Sequence, residues 1–326
     1  MARTTNYNSE PSYSASYDSN SSAPAGGGFC WKQFCCALVC FLLLLAAAAM
    51  IYVVIDGNRT ASKTDATTTT TKKAPITNPS SGGKEGPVKS FNWCGQHKKK
   101  LVLTFDDGPS VAATPNVLAD LAQIGAKGTF FVTPAVDGEP DSAKCAMIEK
   151  ILAEGHQIKL HSYKHDDYMG MVDVDVTNDL KKTRDWVVKC AGSQQDKLRL
   201  NMFRPPYGSL DYVRGQFISN ELGYTIATWN LDTEDFRGGN ATFLMDRIGE
   251  KYAQLIPDGQ GSVVMLMHDK TYVQGGSMGL LPMVKKFFAD KHGYDLITAD
   301  ECYDGCDSTL SFCKMDGVWP GAFEQP

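Results

Sequence analysis

The stretch LVLTFDDGP, residues 101–109, decides the fold of this chain. Its first five residues form a short apolar run typical of a buried strand, and two carboxylates and a Gly-Pro turn follow directly. The runs 157–160 and 262–267 have the same form, and each is followed by a histidine. Carboxylates and imidazoles therefore collect where predicted strands end, and in a parallel sheet those ends meet at one edge.

Short apolar runs alternate with segments of helical periodicity along the region that follows. The predicted strands are 101–105, 128–132, 157–160, 200–203, 224–229, 262–267 and 294–297. The predicted helices are 114–124, 143–154, 175–190, 210–222, 241–256 and 278–290. Seven strands with six intervening helices predict an α/β fold with right-handed crossovers, and a distorted (β/α)7-type barrel, closed or nearly closed, is the simplest such architecture. An open doubly wound sheet is the alternative, but no Gly-x-Gly-x-x-Gly follows a predicted strand, so nothing indicates a dinucleotide site.

The composition allows one sizeable core and argues against a polyanionic partner. Of the 326 residues, 43% are apolar, which suits a single barrel-like domain. The formal net charge is -5 and the pI is near 5.7. Because affinity for nucleic acid comes largely from Lys and Arg side chains that neutralise phosphates, we expect no nucleic-acid partner. A neutral or amine-bearing substrate fits this charge better.

The composition along the chain divides it into segments. We expect a disordered tail over 1–29, a transmembrane signal-anchor over 30–56, a stalk over 57–90, a globular domain over 91–300 and a Cys-containing tail over 301–326. The tail has almost no aliphatic side chains and cannot form a core. The anchor contains an uncharged apolar stretch, 34–55, which is long enough to cross a bilayer and has no flanking domain in which to be a core helix. The stalk is rich in Thr, Ser, Pro and Gly.

The orientation of the predicted anchor depends on several weak features. More Lys and Arg residues follow the apolar stretch than precede it, so the positive-inside rule alone would place the C-terminal domain inside. The Thr-rich stalk, the N-glycosylation motifs at Asn58 and Asn240 and the even number of downstream cysteines favour the opposite orientation, in which a third motif at Asn20 would be idle. We expect a single-pass glycoprotein of the cell surface or secretory-pathway membrane, with its C-terminal domain outside or lumenal.

The ten cysteines form two groups. Four lie at or inside the apolar stretch, as candidates for palmitoylation or as small apolar filler: Cys30, Cys35, Cys36 and Cys40. Six lie downstream and are compatible with three disulfides of open connectivity: Cys94, Cys145, Cys190, Cys302, Cys306 and Cys313. The last three lack the paired short spacings of a structural zinc site, so we favour disulfides.

Two histidines and two adjacent carboxylates suggest a metal site. His161 and His165 are four residues apart, which places both imidazoles on one side of a helical turn or tight loop and lets them share a cation. Such pairs are common by chance, but a carboxylate from 101–109 is available as a third ligand. Asp106 and Asp107 would repel each other in one role, so we expect a division of labour. Zinc is the first expectation, although cobalt, iron or another divalent metal suits the same ligands.

Five motifs resemble, in order, those of the polysaccharide deacetylase family (the NodB-homology domain, carbohydrate esterase family 4), and the chain is chitin deacetylase-like. They are TFDDGP at 104–109, HSYKH at 161–165, RPPYG at 204–208, WNLDTEDF at 229–236 and LMHD at 266–269. The resemblance covers residues 95 to about 300 and implies the following roles. The metal ligands are Asp107, His161 and His165; the general base is Asp106 and the general acid is His268.

The resemblance also implies supporting and substrate-binding roles. Arg204 would aim Asp106, the backbone N–H of Tyr207 would hold a developing oxyanion, and Asp235 would orient the catalytic groups. The implied substrate-binding residues are Pro205, Trp229, Phe236 and Leu266, the last bordering a pocket for the acetyl methyl. Family members commonly have Trp where this chain has Phe236, which leaves substrate preference more open than the hydrolytic chemistry.

The resemblance implies a metal-dependent hydrolase that removes N-acetyl groups from N-acetylglucosamine units, yielding glucosamine units and acetate. The expected partner is a polysaccharide, chitin or a chitooligosaccharide, together with a membrane through the anchor, and no protein partner is implied. The expected cofactor is Zn²⁺, with Co²⁺ or another divalent cation as alternatives. The same fold could instead act on acetyl-xylan or peptidoglycan, or could serve as a catalytically silent glycan-binding module.

Overall fold

The computed structural model describes residues 87–136, 138–272 and 279–304, together with the backbone of the strand Lys314–Met315. All of these lie in one compact unit, Asn78–Pro326. The predicted tail, the predicted anchor, the stalk up to residue 86, Cys306 and Cys313 lie outside the described residues, so these assignments stay predictions. No helix in the described part of the chain combines the length and the apolar character needed to span a bilayer.

Strands and helices alternate through the described residues. The strands are β1 Val88–Phe91, β2 Lys100–Asp106, β3 Thr129–Val132, β4 Gln157–Leu160, β5 Met202–Phe203, β6 Thr225–Ala227, β7 Leu231–Asp232, β8 Val263–His268, β9 Asp295–Ile297 and β10 Lys314–Met315. The α-helices are α1 Thr114–Ile124, α2 Asp141–Ala153, α3 Asp173–Cys190, α4 Tyr212–Gln216, α5 Ala241–Leu255, α6 Leu280–Lys285 and α7 Ala299–Asp304. Helices α4 and α6 continue in π-helical geometry over Phe217–Glu221 and Lys286–Lys291.

The strands form one curved sheet in the order β10-β1-β6-β5-β4-β3-β2-β8-β7, with β9 beside the first half of β2. All described pairings are parallel except that of β10 with β1. Because the order ends at β7 on one side and at β1 with β10 on the other, the sheet is a half-barrel. The α/β class and the parallel sheet are confirmed, and the predicted barrel, closed or nearly closed, is a half-barrel in the structure.

The predicted strand 224–229 is shorter in the structure, and the strand that follows it in the chain lies at the other edge of the sheet. The run 224–229 gives only β6, which pairs with β1 and β5 near one edge of the sheet. Three residues after β6, the chain forms β7 at the opposite edge, where it pairs with β8. The chain thus crosses the open side, and β7, with two residues, is too short to close it. The strands β1, β7 and β10 are additional to the predicted set, and β1 begins within the predicted stalk.

Each strand of the half-barrel has two differently packed faces. In β2, Leu101, Leu103 and Phe105 pack with residues of the surrounding helices, whereas Val102 belongs to a second cluster on the inner face. This alternation follows from the pleat, since successive side chains point to opposite sides. The inner face becomes polar toward the carboxyl ends of the strands, where Asp106 is buried. The sheet therefore presents buried polar groups at the edge where the sequence motifs lie.

Helix α7 packs into the inner face of the half-barrel. Ala299 and Cys302 belong to the inner cluster, and Cys302 forms a disulfide with Cys94. Asp300 accepts a hydrogen bond of 2.6 Å from Lys159 Nζ, and both side chains are almost fully buried. The predicted C-terminal tail thus begins as part of the core. A second disulfide, Cys145–Cys190, joins α2 to α3, so two of the three expected disulfides lie within the described residues.

We expect the loss of the Cys94–Cys302 disulfide to lower the free energy of unfolding more than the loss of Cys145–Cys190. The first joins residues 208 positions apart and the second joins residues 45 positions apart. Loop-closure entropy alone then predicts a difference of about 1.4 kcal/mol between the two double Cys→Ala variants. Urea unfolding of both variants measures it. Equal decreases in the free energy of unfolding would show that native packing, and not the length of the closed loop, determines how much each disulfide stabilises the protein.

Candidate active site

The turn after β2 directs its two adjacent carboxylates differently. Asp106 ends the strand, and Asp107 has a left-handed backbone with φ of 72°. Gly108 follows, and a Cβ atom there would lie 1.9 Å from the Asp269 carboxylate, so a side chain at this position is excluded. The close approach of Asp269 explains the glycine in the motif. It also fixes the path of the chain immediately after Asp107.

Asp107, His161 and His165 lie together, as the sequence predicts. Asp107 Oδ1 is 3.0 Å from His165 Nε2 and 3.4 Å from His161 Nε2. The three candidate ligand atoms all lie within 4.8 Å of one another. Asp107 and His161 are buried, and His165, whose backbone φ is 64°, is partly exposed. The loop after β4 thus brings both imidazoles to the turn after β2.

The protonation of His161 fits a cation at this position. His161 Nδ1 lies 2.7 Å from the carbonyl oxygen of Arg204, which can only accept, so Nδ1 carries the proton. The lone pair of Nε2 then faces Asp107 Oδ1, a buried oxygen with no hydrogen-bond partner among the described residues. Electron-pair donors that converge without a shared proton are stabilised by a divalent cation. Two imidazoles and a carboxylate are ligands that zinc and several other divalent metals accept.

The Asp107 carboxylate is stabilised in its charged form. Burial acts to raise its pKa, but hydrogen bonds and positive charge from His161 and His165, when these imidazoles are protonated in place of a bound cation, outweigh burial and hold the pKa of Asp107 far below its usual range. A carboxylate that is charged at all ordinary pH values can serve as a ligand without first losing a proton.

Asp106 is held by a buried arginine. Arg204 is fully buried, and its guanidinium donates 2.8 Å hydrogen bonds to Asp106 Oδ1 and to Thr104 Oγ1. Its other nitrogens donate to the carbonyl oxygens of Ala227 and Thr228. The second carboxylate oxygen of Asp106 is 3.7 Å from His161 Nε2, beside the metal triad. The structure therefore brings the predicted base and its predicted partner together next to the triad.

His268 and Asp235 form the other half of the site. Asp235 Oδ1 lies 2.7 Å from His268 Nδ1, while Asp235 Oδ2 accepts hydrogen bonds from His268 N and from Thr271 Oγ1 at 2.8 and 2.9 Å. Burial acts to lower the pKa of His268, but Asp235 outweighs burial and raises this pKa to about 9. His268 therefore carries a proton at neutral pH, as a general acid requires.

The predicted substrate-binding residues divide into exposed and buried sets. The rings of Phe236 and Tyr207 are about half exposed and stand edge-on to His268 and His165, with centroid distances of 5.5 and 4.5 Å. Pro205, Trp229 and Leu266 are buried, and Trp229 lies directly under Gly208. The exposed rings form walls on two sides of the site. The direct substrate contacts of all these residues stay predictions.

Three residues at the site have no assigned role in the motif-based prediction, although Asp269 belongs to the LMHD motif. Asp269 packs against Gly108, Lys270 lies 2.5 Å from Asp107 through Nζ, and Thr271 binds Asp235. All three directly follow His268 in the sequence, and this position next to the predicted general acid is the one sequence feature that could have indicated their place at the site. Their contacts depend on how the chain turns after β8, which no local pattern specifies.

Residues 95–227 match the polysaccharide deacetylase family model. The segment 95–227 is therefore a domain of the polysaccharide deacetylase family. The chain is 30% identical over 205 residues to the peptidoglycan-N-acetylglucosamine deacetylase PgdA of Listeria monocytogenes, a match that covers 63% of this chain and 39% of that protein. The chain thus spans well under two thirds of the length of this relative.

Solved structures of deacetylases have the same fold. The Bc1960 peptidoglycan N-acetylglucosamine deacetylase matches at 25% identity with a TM-score of 0.56, over 67% of this chain and 94% of the other. The chitin deacetylase of the fungal pathogen Colletotrichum lindemuthianum matches at 24% identity with a TM-score of 0.55, over 67% and 92%. The half-barrel is therefore the fold of deacetylases that, by name, act on two different polymers.

We expect Asp235→Asn to lower the pKa of His268 by more than about one unit. The pKa of about 9 in the native chain depends on the Asp235 charge, and without that charge burial acts in the opposite direction. The imidazole then loses its proton at a lower pH. NMR titration of the histidine side chains measures the change. His156, whose pKa is lowered to about 4 mainly by burial, is the internal control, and an unchanged His268 would contradict the role assigned to Asp235.

Proposed function

We propose that this protein is a metal-dependent hydrolase that removes N-acetyl groups from N-acetylglucosamine units of a polysaccharide. Chitin, a polymer of that unit alone, is the first substrate we propose. The observation that carries the proposal is the meeting of a metal triad, a carboxylate and a protonated imidazole at one edge of the half-barrel. Asp106 Oδ2 lies 3.7 Å from His161 Nε2, and His268 is held by Asp235 at 2.7 Å. A base and an acid beside a cation site are what hydrolysis of an amide requires.

The residues around the triad supply the proton acceptor. A divalent cation held by Asp107, His161 and His165 would polarise an acyl carbonyl and lower the pKa of a water molecule. Asp106 accepts the proton of the attacking water, because one of its oxygens faces the triad while Arg204 holds the other at 2.8 Å. The buried guanidinium keeps this carboxylate in one orientation, so the water meets the base in a fixed geometry.

The general acid completes the reaction. An amine anion is too basic to leave, so the nitrogen must receive a proton as the carbon–nitrogen bond breaks. His268 supplies that proton, since its pKa is raised to about 9. The negative charge that develops on the carbonyl oxygen needs a donor, and we assign this role to the backbone N–H of Tyr207. That residue has a left-handed φ of 60° and stands beside His165.

Peptidoglycan is the second candidate polymer, because the named activities of the Listeria relative and of the Bc1960 protein are on peptidoglycan. Acetyl-xylan, an ester substrate, would require the same base but less help from an acid. A silent glycan-binding module would need neither, and the bonds that Asp235 makes to His268 argue against it. Acetate release from chitin oligomers, peptidoglycan and acetyl-xylan, compared on one preparation, decides among these substrates.

We expect Asp106→Asn to reduce acetate release from the preferred N-acetylated substrate by at least about 100-fold, because the variant loses its proton acceptor. Removal of metal with a chelator should abolish the remaining activity, and added Zn²⁺ or Co²⁺ should restore the native protein but not the variant. Acetate is measured enzymatically. Activity that survives both treatments would refute the proposed function. Lys100→Met, at the opposite end of β2, is the control for a mutation in this strand.

We expect His268→Gln to reduce hydrolysis of the amide far more than hydrolysis of an ester. Loss of the general acid should lower kcat/KM for a chitin oligomer by about 100-fold or more, because the amine depends on protonation. An aryl acetate, whose leaving group is stable as an anion, should lose less than about tenfold. Parallel assays of the two substrates measure the ratio. Equal losses would indicate that His268 acts on a step common to both.

A further inference from the structure

Lys270 reaches the metal triad from the turn after β8. It lies in the short turn Asp269–Thr271, and its Nζ atom is 2.5 Å from Asp107 Oδ2. The Lys270 side chain is about one third exposed, whereas that of Asp107 is 5% exposed. The ammonium group thus approaches a buried carboxylate from the solvent side. Lys270 lies outside all five sequence motifs.

The two oxygens of Asp107 have different surroundings. Oδ1 faces the Nε2 atoms of His161 and His165 and has no hydrogen-bond partner among the described residues. Oδ2 instead contacts the Lys270 ammonium. One oxygen is therefore directed at the cation site, and the other is paired with the Lys270 side chain.

We propose that Lys270 is a positioning residue that engages the second oxygen of Asp107 and so keeps this carboxylate a one-oxygen ligand. The inference rests on the proposed function, because it requires that the triad binds a divalent cation. A carboxylate can bind a cation through one oxygen or through both. A catalytic site must keep a coordination position open for water or substrate, and a second Asp107 oxygen would occupy it. Lys270 thus protects the open position.

The proposal predicts an unusual pair of effects when Lys270 is removed. Oδ2 becomes free to join Oδ1 on the cation, and one positive charge beside the site disappears. Both changes favour cation binding, so the affinity for metal should rise while turnover falls. An ordinary supporting contact predicts the reverse for affinity, since loss of a partner that orients a ligand typically weakens metal binding by about 10- to 100-fold. General damage to the site would also lower affinity and turnover together.

The experiment compares three variants of the full-length protein with the native protein. Lys270→Met removes the charge and retains the length of the side chain. Lys270→Arg retains a cationic donor and serves as the rescue. Lys100→Met is the matched control, because Lys100 makes a similar 2.6 Å pair with Asp295 at the start of the strand that leads to Asp107. Zn²⁺ affinity is measured by competition with a chromophoric chelator, turnover by acetate release, and the binding mode of the carboxylate by infrared difference spectra on addition of Zn²⁺.

We expect Lys270→Met to bind Zn²⁺ at least about threefold more tightly and to turn over about tenfold more slowly. Its carboxylate stretching bands should move closer together, as they do when both oxygens bind one cation. Lys270→Arg and Lys100→Met should resemble the native protein in all three measurements. Unchanged or weaker Zn²⁺ binding by Lys270→Met, or an unchanged infrared spectrum, would overturn the inference while leaving the proposed function intact. A native protein that binds no Zn²⁺ would overturn both.

Discussion

The buried guanidinium of Arg204 is the interaction on which the site depends. A fully buried charge is destabilising unless it is paired and hydrogen-bonded, and here the donors of Arg204 reach a carboxylate, a hydroxyl and two carbonyl oxygens. These partners belong to β2 and to the region of β6, so this one side chain links two strands that lie far apart in the order of the sheet. Its own backbone carbonyl fixes the tautomer of His161. Arg204 therefore sets the orientation of the base and the donor atom of a metal ligand at once.

The strand order explains how distant residues form one site. Asp106 ends β2 and Asp107 follows it, His161 and His165 follow β4, and His268 ends β8. In the sheet, β8 pairs directly with β2, and β4 is separated from β2 only by β3. The turn with the base and Asp107 thus lies between the strand before the two imidazoles and the strand that ends in the acid. Because all these strands are parallel, their carboxyl ends meet at one edge. The open side of the half-barrel does not lie between β4 and β8, so it does not separate the residues of the site.

The sequence predicts those parts of the fold that depend on local pattern. The apolar runs before TFDDGP, HSYKH and LMHD are strands, because the burial of a short apolar run is a local consequence of its sequence. His161 and His165 meet Asp107 because each residue follows a parallel strand, and the carboxyl ends of such strands lie at one edge of the sheet. The sheet is a half-barrel where the sequence predicts a closed or nearly closed barrel, because closure depends on where the chain crosses between sheet edges, and the run 224–229 contains no local sign that its strand ends at Ala227. The contacts of Lys270 and the packing of α7 are also set by tertiary structure. An isolated lysine or a short C-terminal helix carries no pattern that distinguishes it from solvent-exposed residues.

The turn after β8 links the acid to the metal triad mechanically. His268 carries the acidic proton, Asp269 lies against Gly108, Lys270 engages Asp107, and Thr271 binds the Asp235 carboxylate that holds His268. Four consecutive side chains thus contact groups on both halves of the site. A displacement of this turn would move His268 itself, the Lys270 contact to Asp107 Oδ2 and the Asp269 contact to Gly108 at the same time. The position of the acid relative to the cation site therefore depends on this one turn, which accounts for a buried carboxylate in direct contact with a glycine.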